Sequence, residues 1–120
     1  MKKILLVDDS ATIRNIIKNA LTAEYEVGEA ENGRKALEGL AGEGEISLFL
    51  LDVNMPEMDG LTLLGEIRKR KGYEKTPVLM LTTETKEEFR AKAKELGATG
   101  WVVKPCEPAK LLETIKRIAG

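Results

Sequence analysis

The chain has 120 residues, with 19 Lys+Arg against 20 Asp+Glu and no histidine. That length holds one domain, residues 1–120, with a core that needs no metal or disulfide staple. Near-zero net charge argues against a nucleic-acid binder relying on a basic surface, and the missing histidines exclude Ser-His-Asp, Cys-His and His-ligated zinc chemistry. The single Cys106 cannot form an intramolecular disulfide, which suits a reducing compartment. After Met1-Lys2-Lys3, the apolar run Ile4-Leu5-Leu6-Val7 stops at Asp8-Asp9. It is far shorter than a signal core or a membrane span of about 20 residues. A cytoplasmic protein without membrane insertion is expected.

In chain order, Ile4 to Val7 is apolar without alternation, as in a strand buried on both faces. Ile13, Ile16, Ile17, Ala20 and Leu21 mark one face of a first helix, with Ser10 or Thr12 as N-cap. Tyr25 to Ala30 reads as a short strand and Asn32-Gly33 as a turn. Ala36, Leu37 and Leu40 follow on a second helix, broken by Gly42 and Gly44. Leu48 to Leu51 is another continuous apolar strand, and a loop from Asp52 to Gly60 contains Pro56. Leu61, Leu64 and Ile67 face one side of a third helix. Its basic end, Arg68 to Lys71, reads as a solvated terminus favoured by the helix dipole.

Pro77 opens the buried run Val78 to Leu81. A fourth helix, about Lys86 to Leu96, is mostly charged, with a thin apolar face of Phe89, Ala93 and Leu96. Gly97 is a natural C′ residue. Trp101-Val102-Val103 is the last strand. Pro108 starts a closing helix whose apolar face is Leu111, Leu112, Ile115 and Ile118. Five strand–helix units in strict alternation predict an α/β fold: a doubly wound, mostly parallel five-stranded sheet with helices on both faces.

Ligands of such sheets bind outside the carboxyl ends of the strands. Asp8 and Asp9 follow the first strand, Asp52 the third, Thr82 and Thr83 the fourth, and Lys104 the fifth. The chain has only four aspartates against sixteen glutamates, and three of the four lie on this edge. The fourth, Asp59, lies in the loop after the third strand. Converging carboxylates repel, and the cluster raises at least one pKa unless a cation resolves it. A hard divalent cation such as Mg²⁺ takes oxygen ligands. Lys104 adds a charge for a phosphoryl oxygen and Thr82 a hydroxyl. Taken singly, each residue has an ordinary use as an N-cap, an Asx-turn or a strand end. Four strand ends together look built for phosphoryl transfer.

The ordered set Asp8-Asp9, Asp52 with Met55-Pro56-Glu57-Met58-Asp59-Gly60, Thr82 and Lys104-Pro105 resembles the receiver domain of two-component response regulators. The resemblance covers essentially the whole chain and is greatest to stand-alone, CheY-like chemotaxis regulators, the length leaving no room for an output domain. It implies a flavodoxin-like strand order 2-1-3-4-5. It implies that Asp52 is the phosphoacceptor, taking its phosphoryl group from a phosphohistidine on a sensor histidine kinase. It further implies that Asp9 ligates Mg²⁺ directly and Asp8 through water, with Asp52 and the backbone carbonyl of Asn54. Lys104 would pair with the phosphoryl group, before a cis Pro105, and Thr82 would move inward to bond it. Trp101 occupies the aromatic switch position, where Tyr or Phe is more usual, and Cys106 stands where a larger apolar residue is common. Asn54 and Glu84 would influence how fast the phosphoryl group is lost.

By the same resemblance the chain is a monomeric phosphoacceptor signalling protein that promotes only its own phosphorylation and dephosphorylation. It would present the fourth helix, fifth strand and fifth helix to a downstream protein, such as a flagellar motor switch. A phosphorelay shuttle, a phosphate sink and a phosphorylation-independent interaction module are alternatives. A flavodoxin-like FMN carrier would need a Ser/Thr/Gly-rich loop where Asp8-Asp9 stands. A Mg²⁺-dependent aspartyl phosphatase would carry Asp-x-Asp there.

Overall fold

The computed structural model describes all residues, Met1–Gly120. The strands are β1 (Lys3–Val7), β2 (Glu26–Ala30), β3 (Leu48–Leu51), β4 (Val78–Thr82) and β5 (Gly100–Val103). The helices are α1 (Ala11–Leu21), α2 (Gly33–Gly39), α3 (Gly60–Lys69), α4 (Glu87–Glu95) and α5 (Pro108–Ala119), with a short 3-10 turn at Leu40–Gly42. All pairings are parallel, in the order β2-β1-β3-β4-β5. The doubly wound fold read from the sequence and the strand order implied by the resemblance are both present.

The uninterrupted apolar runs have a direct explanation. In β1, Leu5 and Val7 face one core, while Ile4 and Leu6 face the other. The first core adds residues of α2, α3 and α4; the second adds Ile17 and Leu21 of α1 and Leu111 and Ile115 of α5. Side chains alternate across a strand, so a strand covered on both faces must be apolar at every position. The edge strand β2 has one covered neighbour fewer and carries exposed Glu26 and Glu29. Charges on a short edge discourage pairing with another chain.

Three helices start at side-chain caps. Ser10 accepts from the Ile13 N–H, Asn32 from Lys35 and Asp59 from both Leu61 and Thr62. Such caps satisfy backbone donors that otherwise lack a partner. Asn32-Gly33 is therefore a helix start rather than the free turn expected, because the Asn side chain reaches Lys35. Ile16, assigned to the apolar face of α1, is 49 % exposed. At 100° per residue it lies beside Ile17 but off the seam defined by Ile17 and Leu21. In α3, Leu63 joins Leu64 and Ile67 in the core while Leu61 is only half-buried, a shift of the apolar stripe. Tyr25 precedes β2 and is buried as core.

Arg68 corrects another expectation. It is not part of the solvated basic end; it is half-buried, and Lys69 to Lys71 alone are exposed. The fourth helix is as thinly anchored as its sequence suggested, with Ala93 its one buried residue. Gly97 takes φ 98° as its C′ residue. No helix is long and apolar enough to cross a membrane.

Candidate functional site

The strand order reverses between β1 and β3, and the carboxyl ends of these two strands carry Asp8 and Asp52. This is the switch point at which doubly wound sheets bind ligands. Carboxylate oxygens of Asp8, Asp9 and Asp52 all lie within 4.8 Å of one another. Asp8 and Asp52 are buried, and Asp9 is exposed. Lys104 reaches across from the end of β5, its Nζ 2.5 Å from Asp8 Oδ2 and 3.4 Å from Asp52 Oδ2. The Lys104–Pro105 peptide is cis.

The three carboxylates are not equivalent. Both oxygens of Asp8 are engaged: Oδ1 accepts from the Ser10 N–H at 2.9 Å, and Oδ2 faces Lys104. Asp9 makes no hydrogen bond or ion pair to the rest of the chain, so its oxygens face solvent freely. Asp52 has Oδ2 towards Lys104, and the Thr82 hydroxyl also acts on its carboxylate. An oxygen-only donor set of this kind fits Mg²⁺, which keeps several waters and takes one or two carboxylates. The free Asp9 carboxylate suits direct ligation, and the occupied Asp8 suits contact through water.

Without a phosphoryl group the tighter partner of Lys104 is Asp8, because a buried carboxylate needs a compensating charge. Thr82 differs from the expectation: it is the last residue of β4 rather than the first beyond it, and it is fully buried. Its Oγ1 accepts from the Glu84 N–H at 3.1 Å, and its carbonyl accepts from the Lys104 N–H at 2.8 Å. Neither Thr82 nor Thr83 caps α4, which follows Lys86 without a side-chain cap.

Burial pushes the Asp52 carboxyl above the ordinary aspartate value of 3.8. The Lys104 ammonium pulls it back, with help from the Thr82 hydroxyl, while the Asp8 charge adds to the rise. The cluster does raise one pKa, but desolvation leads and mutual repulsion is secondary. The folded chain thus holds this proton more tightly than the unfolded chain. Its contribution to stability is fully present below pH 3.8 and fades as pH rises through the folded value. Without metal, the wild type should therefore lose more stability than Asp52→Asn as pH rises from 3.8 towards neutrality. Paired thermal melts across that range check this; parallel pH profiles would refute it.

The remaining residues surround the pocket at different depths. Asn54 is exposed two residues beyond Asp52, and Glu84 is half-buried beside Thr82. Trp101 is half-buried and packs against the α2–α4 core, paired in register with Met80. Cys106 is a half-buried free thiol packed against the other core. The largest groove, about 850 Å³, lies away from the carboxylates, between α4 and β5. Arg90, Ala93, Lys94 and Trp101 line it.

One contributor, Arg14, escaped the sequence reading. Arg14 Nη1 donates to the Asp8 carbonyl at 2.5 Å and Nε to Glu29 at 3.3 Å. Its spacing of four from the Ser10 cap, which places it over the strand end, was the available signal. Gly60 packs against the backbone of Asp52, where a Cβ would come 1.9 Å from the Asp52 carbonyl oxygen. A motif shows that glycine without showing what it touches.

This topology, with an oxygen-lined acidic pocket at the carboxyl edge, defines a doubly wound flavodoxin-like domain. The family model of the response regulator receiver domain matches residues 4–116. The chain belongs to that family. It is 40% identical over 120 residues to the chemotaxis protein CheY homolog of Campylobacter jejuni, covering 98% of this chain and 92% of that protein. It is 39% identical over 120 residues to chemotaxis protein CheY1 of Helicobacter pylori, covering 98% and 97%. The solved structure of Vibrio cholerae chemotaxis protein CheY4 superposes with a TM-score of 0.91 at 44% identity, covering 98% of each chain.

Proposed function

We propose that this chain is a chemotaxis-type response regulator that accepts a phosphoryl group on Asp52 from a phosphohistidine of a sensor kinase. The observation that carries the reading is the buried Asp52 carboxylate set beside free Asp9, the Lys104 ammonium and the Thr82 hydroxyl. These 120 residues hold no histidine, so the donor imidazole lies outside them. In the transfer, Asp52 Oδ attacks phosphorus, the N–P bond breaks, and its electron pair returns to the imidazole nitrogen. The product is an acyl phosphate on Asp52 and a free histidine on the donor. When bound, Mg²⁺ would neutralise charge on the transferring group from Asp9, Asp52, the Asn54 carbonyl and, through water, Asp8.

Lys104 contributes a mobile point charge. Once a phosphoryl oxygen appears at Asp52, the ammonium can exchange part of its hold on Asp8 for the new anion. The Thr82 hydroxyl accepts from the Glu84 N–H, and its own proton is directed at the Asp52 carboxylate, where a phosphoryl oxygen would form. A bond from Thr82 to the phosphoryl group would draw in the Thr82–Glu84 turn and the start of α4. Differential contact of this kind biases a two-state element. The α4–β5–α5 face, with Trp101 in its groove, would present the change to a downstream protein in the cytoplasm. Likeness to the CheY homolog, CheY1 and CheY4 supports a chemotaxis role.

Mg²⁺ should stabilise the wild type. At tenfold excess over its dissociation constant, linkage adds about 1.4 kcal/mol. Melting curves with and without Mg²⁺ measure this, and Asp9→Asn should remove most of the gain. A wild-type melting temperature indifferent to Mg²⁺ would reduce the site to a metal-free pseudo-receiver.

A further inference from the structure

Arg68 stands in the last turn of α3, where no carboxylate pairs with it. Its guanidinium instead donates to three backbone carbonyls. Nη1 reaches Tyr73 at 2.8 Å and Thr76 at 2.6 Å, both in the α3–β4 loop. Nη2 reaches Gly97 at 2.7 Å, at the end of α4. A planar fork can serve acceptors in two directions at once; a lysine ammonium on a longer, flexible stem cannot reproduce that geometry. Gly97 makes the approach possible, because a Cβ there would lie 3.0 Å from Arg68 Nε.

The two ends of α4 are held very differently. At the C-terminal end, the Gly97 N–H donates to Lys94 and the Ala98 N–H to Ala93, which together form a Schellman cap. Thr99 donates its N–H to the Val78 carbonyl at 2.7 Å and accepts from the Val78 N–H at 3.0 Å. Ala93, the buried residue of α4, lies towards this end. The N-terminal end has no side-chain cap, and every residue from Lys86 to Glu88 is exposed. It is linked to the Thr82–Glu84 turn through Thr85 and by the Lys86 N–H, which donates to Glu84 Oε2 at 3.2 Å.

We propose that Arg68 is a positioning residue that makes the C-terminal end of α4 a fixed pivot, so that a pull at Thr82 swings the helix's N-terminal end. Without such an anchor, a helix with one buried residue would shift as a whole, and the groove beside Trp101 would change without a defined direction. The trigger rests on the phosphoacceptor reading; the anchor does not.

Hydrogen–deuterium exchange of wild type, Arg68→Met and Arg68→Lys, each with Mg²⁺ and with or without beryllofluoride, tests the pivot. In wild type, beryllofluoride should alter exchange across residues 83–90 and leave 96–99 unchanged. In Arg68→Met, residues 96–99 should exchange about tenfold faster before any activator is added, with α1 and α5 unaffected. Its beryllofluoride response should then spread along all of α4. Arg68→Lys keeps the charge at the helix end and should resemble Arg68→Met. Full rescue by lysine would mean that only a dipole effect operates, and would overturn the pivot. So would unchanged protection at 96–99 in both variants, or acceleration spread equally over α1, α5 and 96–99. The arms without activator decide the anchor whatever beryllofluoride does. A wild type with no response to beryllofluoride would instead sink the phosphoacceptor reading.

Discussion

Asp52→Asn should abolish phosphoryl uptake while leaving the fold intact. Incubated with Mg²⁺ and acetyl phosphate, the wild type should gain one acid-labile phosphoryl group by intact mass, and the variant none. The amide keeps the size of the carboxylate but loses the anionic oxygen that attacks phosphorus. It also removes one of three charges from the cation site. The substitution should not weaken the metal-free protein at neutral pH, because it deletes a buried charge whose desolvation is unfavourable. Loss of function with retained or increased melting temperature separates a chemical role from a structural one, and such opposition is common at active sites. An Asp52→Asn protein that still acquires an acid-labile phosphoryl group would place the acceptor elsewhere.

Gly60→Ala should be the most damaging small substitution near the site. The added Cβ would meet three backbone atoms at once: the Asp52 carbonyl oxygen at 1.9 Å, its carbon at 2.8 Å and the Val53 Cα at 2.9 Å. No flexible side chain can yield. The Gly60 N–H also donates to the Val53 carbonyl at 2.8 Å, so the α3 start and the segment after β3 are tied together. Overpacking of this kind costs about 3 kcal/mol. For a domain of this size that lowers the melting temperature by roughly 12 °C. Relief must come from moving residues 52–54, which carry the acceptor and the Asn54 carbonyl. A misplacement near 1 Å slows phosphoryl uptake by about a hundredfold. Thermal melts and uptake rates together check both halves. A variant with wild-type stability and rate would show that the α3 start relaxes freely.

The fold was largely legible because the alternation of apolar runs and helical periods is a local property. Residues 4–7, 48–51 and 78–81 are apolar throughout because both sheet faces are covered, and composition displays that directly. The caps were harder to read. Asn32-Gly33 carries the same two residues whether it closes a turn or starts a helix, and only the reach to Lys35 decides. Ile16 and Leu63 show the limit of periodicity: neighbouring positions on a helix differ by 100°, and the exact seam depends on what packs against it.

The site divides in the same way. By itself, the sequence determined which residue types stand at the strand ends, because strand ends can be counted along the chain. It also determined that any histidine donor lies outside these 120 residues. Only the tertiary structure decided how the three carboxylates differ. Asp8 is engaged by Ser10 and Lys104, Asp9 is free, and Asp52 is raised by burial more than by its neighbours. Only the tertiary structure turned Arg68 from a surface charge into a clamp on Gly97, twenty-nine residues away. The physical reason is common to both. Burial and partner choice depend on contacts between distant segments, whereas residue order records only what each segment brings to them.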